Sequence, residues 1–307
     1  MLFKKTFLLL NFVVVCSALN QSAMAEPLSV YGRANVSLQY ADEGEGGFSE
    51  LSSNASRFGL KGDTSLENGL TALYKIEWQI DLTGSSASDN IKPREQYVGL
   101  RGDFGTVLLG RVDAYTKSYH SKLDMFNDYQ GDIKGLWKGE NRFNQTLSYE
   151  SMALNGFHFA INYVTPGTSE GQDGVSMGLR YGDAKLKKSS WNAALTVDQD
   201  IKGYDTQRAS FQTKQGSWLL GAMLHRQTQS TTKQSDNGVL LSAQYSYNDW
   251  KLKTQLQTLE DDRSVSVGAD YALGQSTKGF IWYTLHTFDE RDDKSWLAIG
   301  LEHRFEQ

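Results

Sequence analysis

Residues 28–40 read LSVYGRANVSLQY, and the alternation inside them decides the fold. Val30, Gly32, Ala34, Val36, Leu38 and Tyr40 fall on one face. Tyr31, Arg33, Asn35, Ser37 and Gln39 fall on the other. Successive side chains of a strand point to opposite sides, so the stretch is a strand with one apolar and one polar face.

The same alternation returns along the chain. Ser56 to Leu66 and Leu70 to Ile80 flank Glu67-Asn68-Gly69, a hairpin signal. Glu95 to Arg101 leads through Gly102-Asp103-Phe104-Gly105 into Thr106 to Arg111. Further runs are Arg142–Glu150, Gly156–Val164, Val175–Tyr181, Trp191–Asp198, Arg208–Lys214, Leu241–Tyr247, Lys251–Leu256, Ser264–Tyr271 and Trp296–Phe305. Ser217–Gln227 and Lys278–His286 are apolar on both faces, which points to a subunit contact or to internal packing. Sixteen runs result. Their connections are expected to alternate in length. Short turns follow every second run, and longer polar loops lie at 41–55, 81–93, 165–174, 226–237 and 289–294. An even strand number returns both termini to one side.

One segment breaks the pattern. Val112 to Asn141, VDAYTKSYHSKLDMFNDYQGDIKGLWKGEN, shows no alternation over its whole length. Connections this long are uncommon in compact folds and are usually functional.

Composition sets further bounds. Lys4, Lys5, the apolar stretch Thr6–Ala18 and Ala23-Met24-Ala25 form a Sec-type signal peptide over residues 1–25, leaving a barrel unit at 26–307. The apolar stretch is too short to serve as a single-pass anchor. Cys16, the only cysteine, lies inside that leader, so the mature chain has no disulfide and no thiol ligand. Without Lys4 and Lys5 there are 29 basic against 36 acidic side chains, a formal charge of −7. That balance argues against nucleic acid as a partner. Mean hydropathy is −0.49. A low average suits a membrane barrel, whose strands show only every second residue to lipid.

A soluble sandwich also alternates, with its apolar face as core, but three features point away from it. Long charged side chains stand mid-strand on the polar faces: Arg33, Lys75, Glu77, Arg142 and Arg180. Sixteen runs exceed what a sandwich usually holds. Aromatics gather near the ends of the apolar faces (Tyr40, Trp78, Tyr163, Tyr181, Trp191, Trp250, Tyr271), as an interfacial girdle requires. Lipid offers no partner for a free backbone amide, so a sheet crosses it only when closed on itself. The reading is an all-β chain forming a 16-stranded antiparallel transmembrane barrel, wide enough for an aqueous interior.

The chain resembles the Gram-negative general-diffusion porins, trimeric sixteen-stranded barrels of the bacterial outer membrane. The likeness rests on SVYGRANVSLQY (29–40), SRFGLKGDTSLENGLTALYKIE (56–77), EQYVGLRGDFGTVLLGR (95–111), NRFNQTLSYES (141–151), GADYAL (268–273) and the terminal run. The resemblance implies a water-filled channel for passive diffusion of small hydrophilic solutes and ions. It implies a homotrimer among outer-membrane lipid and lipopolysaccharide, inserted by barrel-assembly machinery that reads a terminal aromatic. Family members usually end on that aromatic, whereas here Glu306 and Gln307 follow Phe305.

The resemblance also implies that the third loop, residues 112–141, folds inward and narrows the passage. Its acids are Asp113, Asp124, Asp128, Asp132 and Glu140, interspersed with Lys117, Lys122, Lys134 and Lys138. The facing wall is expected to supply Arg33, Arg57, Lys75, Arg111 and Arg142. Strict alternation places Arg111 on the Val107–Leu109 face, so it must turn inward where its strand ends. Acids opposite bases set a transverse field across water and tune ion preference. The plainer reading is that these are solvated lumen residues. The outer acids Asp42, Glu43, Glu45, Glu50, Glu170 and Asp173 are expected either to meet lipopolysaccharide through divalent cations or simply to keep loops soluble.

No enzyme is expected. The five histidines (His120, His158, His225, His286, His303) lack ligand spacing, no catalytic motif is present, and no metal or cofactor is called for. A lipid-hydrolysing barrel needs a Ser–His pair on the lipid face, where His303 is the one candidate. A substrate-selective porin for sugars or anions is the alternative. A sugar channel needs a lumenal aromatic slide, for which only Tyr31, Tyr97 and Trp282 are placed.

Overall fold

The computed structural model describes residues 28–84, 90–120, 122–168, 171 and 173–307. The leader expected at 1–25 and the outer-loop acid Glu170 lie outside these residues. The wall is built from β1 (Ser29–Asp42), β2 (Gly47–Ser53), β3 (Arg57–Ser65), β4 (Thr71–Ile80), β5 (Ile91–Gly102), β6 (Gly105–Asp113), β7 (Arg142–Glu150), β8 (Phe157–Val164) and β9 (Gly174–Gly182). It continues through β10 (Trp191–Ile201), β11 (Tyr204–Gln215), β12 (Trp218–Gln229), β13 (Ser235–Tyr247), β14 (Trp250–Leu259), β15 (Asp262–Ala272), β16 (Thr277–Thr287) and β17 (Lys294–Glu306).

Each strand pairs antiparallel with its sequence neighbour, and β1 pairs with β17, so the sheet closes. β2 and β3 are two halves of one barrel strand. Residues 36–42 of β1 pair with β2 and residues 29–33 pair with β3. The halves are separated by a kink at Ala55, whose φ is +48°. The wall therefore has sixteen strands and no free edge, as a sheet in hydrocarbon must.

The faces are inverted relative to a water-soluble protein. In β1, Asn35, Ser37 and Gln39 are each 1% exposed, while Leu38 and Tyr40 are 54% and 53% exposed. Val98, Leu147, Leu195, Leu224, Leu252 and Ile299 continue this outward apolar band around the ring. At the end of the barrel holding the chain termini, rings pair across strands. Tyr181–Trp191, Trp218–Tyr245 and Trp250–Tyr271 have centroids 4.9, 4.8 and 4.7 Å apart. These amphipathic rings form the girdle at one membrane interface.

The connections depart from the expected alternation of lengths. Residues 41–55 are mostly strand, leaving a turn at 43–46. The loop at 226–237 shrinks to 230–234, and the one at 81–93 ends where β5 starts at Ile91. At 81–93 and 226–237 the cause is physical: beyond the lipid band both faces of a strand are wet, so pairing continues after the apolar period has stopped. β2 instead pairs with residues 36–42 of β1 and sets Ser49, Leu51 and Ser53 outward, a face too polar to show the period. At the end holding the chain termini, residues 183–190 form a longer turn, with the Asp183 carboxylate accepting from the N–H groups of Lys185, Lys187 and Lys188. Among the described residues, only 114–141 make a long excursion.

The two doubly apolar runs are explained by internal packing. Met223 on β12 and Phe280 and Trp282 on β16 point inward and are at most 4% exposed. They pack against apolar side chains of residues 114–141.

Candidate functional site

The segment from Ala114 to Asn141 leaves β6, returns to β7 and is closed at its neck by Ala114 N donating to Asn141 O at 3.0 Å. It begins with α1 (Tyr115–Ser118). Tyr115 N donates to Ser176 Oγ on β9 at 3.0 Å, and Thr116 Oγ1 to Asp198 Oδ1 on β10 at 2.6 Å. Further on, Gln255 on β14 accepts from Met125 N at 2.8 Å and donates to Gly131 O at 2.9 Å. On the return leg, Trp137 Nε1 donates to Thr258 O at 2.7 Å and Lys138 N to Gln227 Oε1 on β12 at 2.9 Å. Its partners are inward-facing groups on strands around the ring, which sets the segment against the inner wall.

Apolar side chains do much of the seating. Phe126 and Tyr129 pack with Phe280, Trp282 and Trp296. Leu123, Ile133, Leu136 and Trp137 pack with Met223 and Leu240. The wall beneath is glycine where these rings land. A Cβ on Gly178 would come within 2.7 Å of Tyr119, on Gly238 within 2.6 Å of Trp137, and on Gly221 into Leu123.

Two carboxylates shape the segment from within. Asp124 accepts from Phe126 N and Ile133 N at 3.1 and 3.2 Å. Burial, reinforced by Asp132 and Glu140 nearby, pushes its carboxyl well above the ordinary aspartate range and favours the neutral form. Asp132 accepts from Lys134 N at 2.9 Å and Asp128 N at 3.1 Å, and pairs with Lys134 Nζ at 3.1 Å.

One loop acid lies in direct contact with two of the wall bases. Asp128 Oδ2 lies 2.6 Å from both Arg33 Nη2 and Arg57 Nη2. Lys75 pairs along the wall instead, with Glu95 at 2.5 Å and Glu77 at 3.8 Å. Arg142 pairs with Asp113 at 2.7 Å, at the neck. Arg111 does not turn inward. It stands opposite Gln96 on the outward face and donates to Asn144 Oδ1, because the extra residue of the bulge lies on β7 between Phe143 and Thr146 and leaves the alternation of β6 intact. Glu140 is buried against Arg208 on β11, with His120 Nε2 at 3.5 Å. The outer acids are dispersed too: Glu50 faces inward to Gln39 at 2.6 Å, and Glu43 pairs with Lys294 at 3.5 Å.

Sequence reasoning missed the wall of the later strands. A cavity of about 510 Å³ lies between the inner segment and that wall, lined there by Lys251, Lys253, Asp270, Lys278, Glu302 and Arg304. Asp270 holds Lys253 and Lys278, each at 2.9 Å. All of these but Lys278, which opens a doubly apolar run, occupy polar-face positions of alternating runs, which was the available signal. Lys117 and Lys122 face the same space from the loop.

A model of the Gram-negative porin family matches residues 13–291. The chain belongs to that family. Its closed barrel is accordingly that of an outer-membrane porin. Major outer membrane protein P.IB of Neisseria gonorrhoeae is 29% identical over 140 residues, 43% of this porin and 39% of that protein. Major outer membrane protein P.IA of Neisseria meningitidis serogroup C is 29% identical over 118 residues, 38% of this porin and 30% of that protein. The matched stretches thus span less than half the length of these relatives. Among solved structures, an anion-selective porin from Comamonas acidovorans superposes with a TM-score of 0.76 at 19% identity, covering 91% of this porin and 99% of that chain. A trimer form of OmpT of Vibrio cholerae gives 0.69 at 12% identity, covering 91% and 99%. At such identities the likeness is one of fold.

Proposed function

We propose that this porin forms a water-filled channel for passive diffusion of small hydrophilic solutes and ions, and that it passes anions more readily than cations. The observation that carries the preference is the charge around the inner cavity. Seven bases line it (Arg33, Lys117, Lys122, Lys251, Lys253, Lys278 and Arg304) against five acids (Asp113, Asp124, Asp128, Asp270, Glu302). Asp124 is driven toward its neutral form by burial, which widens the excess. Among the described residues, Lys122 and Lys251 take part in no ion pair, so their charge acts on the water beside them. A field of one sign in a narrow aqueous gap raises the local concentration of the opposite ion.

We further propose that residues 1–25 direct export and that three copies assemble, as in the OmpT trimer form. Lipopolysaccharide then borders the outer rim, and assembly machinery reads β17 at Phe305. Planar-bilayer recording under a salt gradient tests the channel. The reversal potential is expected on the anion side, with conductance steps in groups of three. Lys122→Glu with Lys251→Glu is expected to carry it toward cations. A cation-side potential in the wild type rejects the preference, and absence of current rejects the channel.

A further inference from the structure

A trough runs up the outside of β10 to β13. Cross-strand register creates it. Ala193 pairs with Phe211, Phe211 with Ala222 and Ala222 with Leu241. In the next row Leu195 pairs with Ala209, Ala209 with Leu224 and Leu224 with Val239. Small and large side chains therefore form a checkerboard whose small squares join. Two cavities of about 550 and 590 Å³ follow it and share Leu195, Ala209, Leu224 and Val239.

The trough ends at a polar row. Gln207 stands opposite Arg226, and Arg226 opposite Asn237. Arg226 is eight residues along β12 from Trp218, an aromatic of the girdle at the far end. Eight residues span ~27 Å of strand. At a tilt of about 40° that is roughly 20 Å of membrane, most of the ~25 Å apolar band. Arg226 thus stands at head-group depth on the side of the barrel opposite the chain termini. Its guanidinium donates to Ser235 Oγ at 3.3 Å and takes part in no ion pair among the described residues. The acids near this rim do not pair with Arg226: Glu260 accepts from Asn237 Nδ2 at 3.1 Å, and Asp205 from Asp200 N at 2.8 Å.

We infer that this trough is a lipid site. It holds an acyl chain of lipopolysaccharide, with a phosphate of the head group on Arg226 between Gln207 and Asn237. The inference rests on the outer-membrane porin reading. A one-chain apolar trough capped by a guanidinium matches an anionic lipid at both ends, since guanidinium pairs with phosphate in two parallel hydrogen bonds. The site does not use the outer acids or a bridging cation.

Native mass spectrometry of the detergent-purified protein, given bisphosphorylated lipid A, dephosphorylated lipid A or phosphatidylethanolamine, tests it. Bisphosphorylated lipid A is expected to be retained about tenfold better than the dephosphorylated form, the scale of one charge-assisted hydrogen bond. Arg226→Gln removes that advantage. Ala209→Phe, or the milder Ala222→Leu, fills the trough and lowers retention of both forms. Arg263→Gln, on the outward face of β15, leaves retention unchanged. Retention unaltered by Arg226→Gln and by filling the trough overturns the inference. So does a loss of trimer with lipid retention intact in Ala209→Phe, which makes the trough a subunit seam. Heat-modifiable migration confirms that each variant is folded. Bilayer conductance of the same variants stays at the wild-type level, because the site lies outside the lumen. Current missing from the wild type counts against the channel and leaves the lipid result to stand by itself.

Discussion

Arg208 projects from β11 into the ring and is 4% exposed. It is bonded to the Glu140 carboxylate, to Lys138 O at 2.6 Å, to Thr116 O at 3.1 Å and to His225 Nδ1 at 3.1 Å. It therefore ties both legs of the inner segment to one strand. Breaking such a pair leaves a buried charge without compensation. Glu140→Gln is expected to loosen the root of the loop by about 3 kcal/mol. Single-channel current noise and spontaneous closures at neutral pH report it. Acid should act on the same bond, with a definite sign. Burial works to raise the Glu140 carboxyl, but Arg208 and His120 prevail and hold it well below the ordinary glutamate range. A depressed carboxyl stabilises above its unfolded value, about 4.3, and that support is lost as pH falls through the folded value. The wild-type channel should stay quiet down past the usual glutamate range, while Glu140→Gln is noisy throughout. Wild-type noise that begins in mild acid contradicts this assignment.

Asp128 acts at the same scale on the other side of the lumen. Its carboxylate separates Arg33 from Arg57. Asp128→Ala leaves two guanidinium groups facing each other and removes two charge-assisted hydrogen bonds, each worth about 1.5–3 kcal/mol. The tip of the loop should lift from β1 and β3. Larger conductance steps and a stronger anion preference are the expected readouts. Unchanged steps would show that the tip is held by Tyr129 and its aromatic partners alone.

At the level of elements, the inner segment is a small apolar core pressed on a polar wall. Trp137 shows the design. Its ring stacks on His225 at 4.5 Å, its Nε1 reaches Thr258 O, and Gly238 gives it room. Trp137→Ala is expected to cost about 3–5 kcal/mol of local stability, and Gly238→Val to displace the ring without removing it. Protease nicking of folded protein between residues 114 and 141 should rise in both variants and stay absent in the wild type. This element also shows what the sequence could reveal. Lipid on one side and water on the other force a period of two, so the sixteen strands were legible from runs such as 28–40. The strand ends were not: β2 lies beside Val36–Tyr40 but sets Ser49 and Ser53 with Leu51 on its outward face, so it shows no apolar period. The excursion at 112–141 stood out by its missing alternation. Where it docks did not, because its seats are glycines and apolar residues on inward faces. Gly221, Gly238, Met223 and Trp282 read as flaws in the alternation until Leu123, Trp137 and Phe126 are placed on them. Arg208 and Asp270 carried no label of their own, since any lumen wall contains charges.

For the whole molecule the decisive contact is the seam where the chain's two ends meet. Twelve cross-strand residue pairs join β1 to β17, from Tyr31 opposite Glu306 to Asp42 opposite Ser295. The two residues after Phe305 belong to this seam. Gln307 and Val30 exchange both backbone hydrogen bonds, at 2.9 and 3.0 Å, and Glu306 reaches Lys61 at 2.5 Å and Ser29 at 3.0 Å. The Phe305 ring lies over Gly32, so the terminal aromatic covers backbone that no side chain covers. Glu306 and Gln307 thus extend the closing ladder past the residue that assembly machinery is expected to read. Truncation after Phe305 removes both. The shortened chain should still close, because the pairs from Gly32 to Asp42 remain. The midpoint of heat-induced unfolding in detergent should fall by a few degrees, the scale of two net backbone hydrogen bonds in a chain of this size. The amount reaching the outer membrane should not fall, since Phe305 keeps its place on β17. A lower yield with an unchanged midpoint would reverse the assignment and make the two residues part of the insertion signal, with no structural share in the seam.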